Sequence, residues 1–183
     1  LIDLSVKALP DQFPAALQLR TKQLSGSVRN AVLEAALDQL SSSLVPVFVN
    51  GGHIDAASTR AGAIHWPERA IPTQPQPVPV GFRRAASIHS TEAARQAAFA
   101  GAEFGIFGPV FDPGSKPGYG RGLEALREVV DAVNLPVLAL GGIGSAQVTE
   151  CLQAGAAGVA VVSAVFGATD PAAAVRKIAA ALG

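Results

Sequence analysis

The sequence predicts a (β/α)8 TIM barrel that is built by a single domain covering residues 1–183. Three observations predict it: short apolar runs recur along the chain, helical patterns separate most of them, and polar residues gather where the runs end. The eight predicted strands cover residues 1–6, 15–19, 45–49, 61–66, 84–89, 104–111, 137–140 and 159–162. Regular alternation of strands and helices favours a barrel over an open sheet.

Helical periodicity fills most of the intervals between these strands. The predicted helices cover residues 27–40, 55–60, 91–100, 122–133, a segment that begins near residue 145, and 170–183. In the first of them, the predicted apolar face consists of Val28, Val32, Ala36 and Leu40. The predicted N-caps are Ser90 or Thr91, Ser145 and Asp170, and Pro171 suits the first helical position.

Two intervals depart from this alternation. The first crossover spans roughly ten residues, which is fewer than a crossover helix with its loops needs. Residues 72–79 read PTQPQPVP, and four prolines in eight residues forbid a helix. We therefore expect a compact barrel with an abbreviated first crossover and a Pro-rich loop in place of helix 4. These two shortened connections explain why the chain has only 183 residues, which is short for this fold.

The composition excludes several classes of protein. Hydrophobic residues make up 49% of the chain and charged residues 15%, as expected for a domain with a substantial core. Lys and Arg equal Asp and Glu at 14 each, so we expect no nucleic-acid partner and no membrane partner. The single cysteine, Cys151, lies on an apolar helix stripe, which predicts a buried thiol and a cytoplasmic protein. Because methionine is absent even at position 1, we expect the natural chain to begin before Leu1.

A glycine-rich turn follows the apolar run at residues 137–140. Gly141 and Gly142 let the backbone turn tightly and approach a ligand without interference from a Cβ atom. A helix follows this turn, and the next predicted strand ends at Val162 and Ser163. Several backbone N–H groups then converge on one point, which is how proteins hold a phosphate. The alternative is a tight turn with a purely structural role.

Other polar residues cluster at the predicted carboxyl ends of the strands, where barrel enzymes place their active sites. In chain order they are Gln18, Arg20, Lys22, Asn50, His65, Ser87, His89 and Lys116. The first three alternate with period two and therefore share one face of their strand. Together with the glycine-rich turn, they predict a site for a phosphorylated ligand at this end of the barrel. For Arg20 and Lys22 the alternative is a solvated, charged strand end.

His89 is the predicted acid–base residue. It follows Ser87 by two residues on the same face, and an imidazole exchanges a proton near neutral pH. The alternative is a core histidine whose hydrogen bonds are satisfied internally. The residues alone leave His65 open between these two roles, and they predict that His53 is exposed.

Five segments together resemble the thiamin phosphate synthase/TenI superfamily of thiamin-biosynthesis barrels. They are QLRTK at 18–22, SIHS at 87–90, FGPVF at 107–111 with Lys116, LGGI at 140–143, and VVS at 161–163. They occur in the family's order and spacing, and the resemblance covers the chain from about residue 15 to its end.

The resemblance implies one of two chemistries. Thiamin phosphate synthases join a hydroxymethylpyrimidine diphosphate to a thiazole phosphate and release diphosphate with the help of Mg²⁺. TenI-type proteins are thiazole tautomerases, which move a proton without a metal. In both, the resemblance implies that Gly142, Val162 and Ser163, beside Gly141, hold the thiazole phosphate. In a synthase it places Gln18, Arg20, Lys22, Asn50, Ser87 and Lys116 around the second substrate.

The sequence departs from the synthase pattern at the metal. Synthases carry Mg²⁺-binding carboxylates after their third and fourth strands, and Gly51 and Ala70 stand at those positions here. Glu68, the nearest carboxylate, is two positions away from the second of them. Asp112 is a further carboxylate to which the resemblance gives no metal role.

Because the metal ligands are replaced while His89 is present, we expect a metal-independent thiazole phosphate tautomerase without a cofactor. The alternatives are a thiamin phosphate synthase with a degenerate Mg²⁺ site, and a non-catalytic phospho-ligand binder or regulator. The expected partner is the small-molecule thiazole phosphate. The sequence does not decide between a monomer and a homo-oligomer.

Overall fold

The computed structural model describes residues 14–21, 24, 26–41, 45–112 and 118–183. They contain one parallel sheet of seven strands, ordered in space as in the chain. The strands are β1 (Leu17–Leu19), β2 (Val47–Asn50), β3 (Ala63–Trp66), β4 (Arg83–Ile88), β5 (Phe104–Phe107), β6 (Val137–Leu140) and β7 (Gly158–Ala160). This α/β architecture is TIM-like. The strand predicted at residues 1–6 lies outside the described residues, so the eighth strand and the closed barrel stay predictions.

Helices connect most of the successive strands, as is usual for parallel pairing; the exception is the connection between β3 and β4. They are α1 (Gly26–Leu40), α2 (Ala56–Ala61), α3 (Thr91–Phe99), α4 (Gly122–Asp131), α5 (Val148–Gln153), α6 (Ser163–Phe166) and α7 (Pro171–Leu182), with 3-10 turns at Glu68–Ala70 and Ser145–Gln147. The predicted caps Ser90 and Asp170 are confirmed, because each side chain accepts a hydrogen bond from an amide three residues on. Within the described part of the chain, no helix is long and apolar enough to cross a bilayer.

The predicted N-cap at Ser145 is wrong. Ser145 is the first residue of a 3-10 turn, and the turn is closed instead by Gln147, whose Oε1 accepts from the Gly144 amide at 3.0 Å. A glutamine side chain that reaches back one turn replaces the serine hydroxyl in this role.

The buried face of α1 differs in part from the prediction. Leu40 is buried and Ala36 partly buried, as predicted, but Val28 and Val32 are 58% and 45% exposed. Leu33 and Leu37 are buried in their place. These leucines pack against outward-facing residues of β1 and β2, namely Leu19, Val47 and Val49. The helix carries two apolar stripes, and the one with the larger side chains faces the sheet because it removes more apolar area from water.

The connection between β3 and β4 contains only the 3-10 turn, and residues 71–82 form neither helix nor strand. The segment is nevertheless anchored at both ends, because Ile71 and Phe82 are buried in the main core. The side-chain amide of Gln96 on α3 also donates to the carbonyl of Pro72. The predicted short first crossover lies outside the described residues.

The inward face of the sheet is layered. Phe48, Ala63, Ala85 and Phe104 form one cluster, in which the two phenylalanine rings meet edge to face at 5.2 Å. Because side chains alternate along a strand, residues two positions further on face the same interior. That next layer contains Asn50, His65 and Ser87, so the apolar layer serves as the floor beneath the polar strand ends. On the outside, Cys151 of α5 is fully buried, as predicted.

Candidate active site at the carboxyl ends of the strands

Polar groups of β2 and β3 meet where these strands end. Asn50 pairs with His65 in the register of the sheet, and its Nδ2 donates to the His65 carbonyl at 3.4 Å. The same carbonyl accepts from the Gly51 amide at 3.1 Å. Asn50 and the turn after it are therefore tied to the end of β3. This bond uses one of the two N–H groups of the Asn50 side chain, which leaves the second N–H to donate and the oxygen to accept.

His65 lies at the centre of this polar layer. It is 1% exposed, and its Nε2 lies 2.8 Å from the hydroxyl of Ser87. Burial and, as the smaller cause, the positive charge of Arg20 together lower the pKa of His65 to about 4. The imidazole is therefore neutral at physiological pH and acts on Ser87 by fixing its hydroxyl. Arg20 itself is exposed one residue beyond the end of β1.

His89 is exposed one residue beyond the end of β4. Its Nδ1 donates to the carbonyl of Gly108 at 2.7 Å, which leaves Nε2 as the ring nitrogen with a lone pair. The guanidinium of Arg121 donates to the backbone carbonyl of His89 and lies over the ring of Phe107. An oriented imidazole with one accessible basic nitrogen can exchange a proton with a bound ligand.

The loops after β5 and β6 touch backbone to backbone. The amide of Val110 donates to the Leu140 carbonyl at 2.8 Å, and the amide of Phe111 donates to the Gly141 carbonyl at 3.1 Å. A Cβ atom on Gly141 would lie 2.5 Å from that of Pro109, and one on Gly142 would lie 2.7 Å from that of Phe111. Both glycines have positive φ, of 103° and 63°. Contact and conformation together require glycine at this turn.

The predicted phosphate turns lie side by side. β6 and β7 pair with Leu140 opposite Ala160, so the Gly141-Gly142 turn adjoins the segment of Val162 and Ser163. Ser163 begins α6, and the Val162 carbonyl accepts the amides of Val165 and Phe166. The first amides of a helix have no partner within the helix. Ser163 and Gly142 are both exposed, so N–H groups from two adjacent turns are available to an anion.

The remaining predicted residues give a mixed result. Gln18 lies on the inward face of β1, opposite Phe48 in the register, and is exposed. Lys22 and Lys116 lie outside the described residues. The carboxylate of Asp112, four residues before Lys116 in the sequence, accepts from the Gly120 amide at 2.7 Å. Hydrogen bonds from the amides of Gly120, Gly118 and Tyr119 lower its pKa.

The described residues do not fit a magnesium site of the kind that the resemblance implies. Gly51 and Ala70 offer no ligand atom on a side chain, and Asp112 is engaged by backbone amides. Glu68 holds one buried carboxylate oxygen that has no hydrogen-bond partner among the described residues. Nor do the described residues contain any group of three His, Cys, Asp or Glu side chains that could hold a metal ion. We derive no step through Mg²⁺.

Comparison with known proteins places this arrangement in a family. The sequence model of the family described as thiamine monophosphate synthase matches residues 2–165. A thiamine-phosphate synthase of Methanoculleus marisnigri is 39% identical over 168 residues, which cover 88% of this chain and 79% of that protein. Another from Roseiflexus sp. strain RS-1 is 38% identical over 183 residues, covering 94% and 78%.

Solved structures agree with this result. Thiamine phosphate pyrophosphorylase from Pyrococcus furiosus superposes with a TM-score of 0.77 at 25% identity, over 99% of this chain and 87% of that one. A 3-hexulose-6-phosphate synthase superposes with a TM-score of 0.67 at 20% identity, which shows a shared fold alone. The resemblance drawn from the sequence is therefore confirmed: the chain belongs to the thiamine monophosphate synthase family and is a thiamine-biosynthesis protein.

Proposed function

We propose that this protein is a thiamine-phosphate synthase, the reading that the sequence placed second. The likeness to relatives of that name carries the proposal, because it runs over about nine-tenths of the chain and includes both phosphate turns. None of the relatives compared above is named a tautomerase, so the reading that the sequence favoured gains no support from them.

The strand-end site suits the two substrates of this reaction. The amides at Gly142 and Ser163 would hold the thiazole phosphate at the carboxyl ends of β6 and β7. The thiazole nitrogen attacks the methylene carbon of the pyrimidine; a C–N bond forms, the C–O bond breaks, and diphosphate leaves with the bonding electrons. Arg20 supplies positive charge toward that leaving group, and Ser87, fixed by His65, offers a positioned hydroxyl.

Thiazole tautomerisation is a second candidate, and one observation favours it. The hydrogen bond from His89 to Gly108 fixes the ring and leaves Nε2 basic, as a proton shuttle requires. In that reaction Nε2 would take a proton from one ring atom of the carboxythiazole phosphate and return one to another. The replacement of carboxylates by Gly51 and Ala70 is compatible with this metal-independent chemistry.

One set of assays decides between the two. Purified protein receives both synthase substrates with Mg²⁺, and, separately, the non-aromatic carboxythiazole phosphate in EDTA. We expect thiamine phosphate to form in the first assay, and Arg127→Gln, which changes an exposed arginine on α4, to retain this activity. Aromatisation in EDTA without coupling would establish the second candidate, provided that His89→Asn lowers it by roughly 10²–10⁴-fold. If neither assay yields product, both enzymatic proposals are wrong.

A further inference from the structure

Arg29, on the first turn of α1, lies beside the glycine that replaces a metal-binding carboxylate. A Cβ atom built on Gly51 would be 4.0 Å from Nη2 of Arg29. The arginine side chain is 23% exposed, so it is mostly covered by its surroundings. The amide of Gly51 is bonded to the His65 carbonyl, which connects this position to the polar strand ends.

The Arg29 side chain is held in place from one side. Its Nη1 donates to Oδ2 of Asp55 at 3.1 Å, and Asp55 is the N-cap of α2. Burial raises the pKa of Asp55, but hydrogen bonds from the Ser58 amide and from Arg29 outweigh it and lower the pKa overall. The carboxylate is thus ionised and fixed. Nη1 also lies 3.4 Å from Oδ1 of Asn30, whereas Nη2 makes no hydrogen bond to a described residue.

Gly51 itself is not required by the backbone. Its φ lies outside the left-handed region, and the nearest atom to an added Cβ would be the His53 carbonyl oxygen, at an ordinary 3.5 Å. A side chain would fit, yet an acidic one would pair with Nη2 and neutralise it. Because Gly51 has no side chain, nothing on residue 51 pairs with Nη2 of Arg29.

We propose that Arg29 binds the diphosphate of the second substrate and supplies the positive charge that a carboxylate-held metal would supply at this position. This inference rests on the proposed synthase function. A guanidinium stays protonated at any physiological pH, and the two N–H groups of Nη2 can donate to phosphate oxygens while Nη1 stays with Asp55. Together with Arg20, it would stabilise the leaving group as charge develops on it.

The test is calorimetric titration of the protein with inorganic pyrophosphate in EDTA. We expect wild type to bind pyrophosphate and Arg29→Gln to bind it at least tenfold more weakly. The affinity of Arg29→Lys should lie between these two, because lysine keeps the charge but lacks the planar guanidinium donors. Arg127→Gln serves as the matched control and binds like wild type. Thermal unfolding of each variant shows whether loss of the Asp55 pair has destabilised the fold. If folded Arg29→Gln binds pyrophosphate as wild type does, the proposal is wrong.

Gly51→Asp provides a second test that leaves the arginine in place. The added carboxylate fits sterically and pairs with Nη2, so pyrophosphate binding in EDTA should fall at least tenfold while the fold is kept. Unchanged binding by this variant would overturn the proposal. If both variants lose pyrophosphate binding but wild type makes no thiamine phosphate, the anion site stands and the synthase function fails.

Discussion

Gly142→Ala is expected to destabilise the protein and to abolish tight binding of the thiazole phosphate. The left-handed backbone at φ 63° strains any residue with a Cβ atom, and that atom would lie 2.7 Å from Cβ of Phe111 and 2.8 Å from the carbonyl oxygen of Asp112. Strain and overpacking together cost roughly 2–5 kcal/mol. Relief of the contact would push the turn away from the loop after β5 and displace the amides that face the ligand.

Denaturant unfolding and calorimetry with the thiazole phosphate measure the two effects. Gly144→Ala is the matched control, since an added Cβ there meets only Gln147 Oε1 at 3.5 Å and φ is −117°. We expect that control to keep wild-type affinity. Equal stability and equal affinity in the two variants would show that the turn has no special conformation.

The second large effect concerns pH. Burial, assisted by Arg20, lowers the pKa of His65 from its ordinary 6.5 to about 4 in the folded protein. Between pH 4 and pH 6.5, His65 is protonated in the unfolded chain but not in the folded chain, so a lower pH favours unfolding. The contribution of neutral His65 to the free energy of unfolding is complete above pH 6.5, decreases as the pH falls and is lost below pH 4. At about 1.36 kcal/mol per pH unit it amounts to roughly 3 kcal/mol.

Urea unfolding of wild type and His65→Gln across pH 4–7 isolates this contribution. All other titratable groups are shared, so the difference between the two curves belongs to His65 and the neighbours it fixes. The difference in free energy of unfolding between wild type and His65→Gln should decrease by roughly 3 kcal/mol from pH 7 to pH 4. Parallel curves would mean that His65 is not buried as a neutral group.

Local pattern located the described strands because most of them are short apolar runs, but it extended β5 to residue 111, whereas the strand ends at Phe107. The pattern did not identify the buried face of α1, because two apolar stripes of this helix fit a period of 3.6 residues. Only packing against β1 and β2 determines that Leu33 is buried and Val32 is exposed. The pattern also failed at Ser145, since a serine before a helical pattern does not reveal that Gln147 closes the turn.

The positions of Asn50, Ser87 and His89 near the carboxyl ends of β2 and β4 could be predicted from the sequence; that they bind a ligand stays a prediction. The positions of His65 and Arg29 depend on contacts that sequence reasoning could not rank. His65 becomes the partner of Ser87 only through the packing of β3 beside β4, although its place two residues after Ala63 puts it on the inward face. Arg29 lies on a helix, 26 residues before the Asp55 that fixes it, and no strand-end rule points to it.

We propose that a phosphorylated thiazole binds between the Gly141-Gly142 turn and the start of α6. Titration of ¹⁵N-labelled protein with the thiazole phosphate, followed by amide chemical shifts, tests this directly. We expect the largest saturable shifts at Gly142 and Ser163, with smaller ones near Ser87. Shifts confined to the groove of about 380 Å³ that Asp170 and Lys177 line, or no saturable shifts at all, would contradict the proposed site.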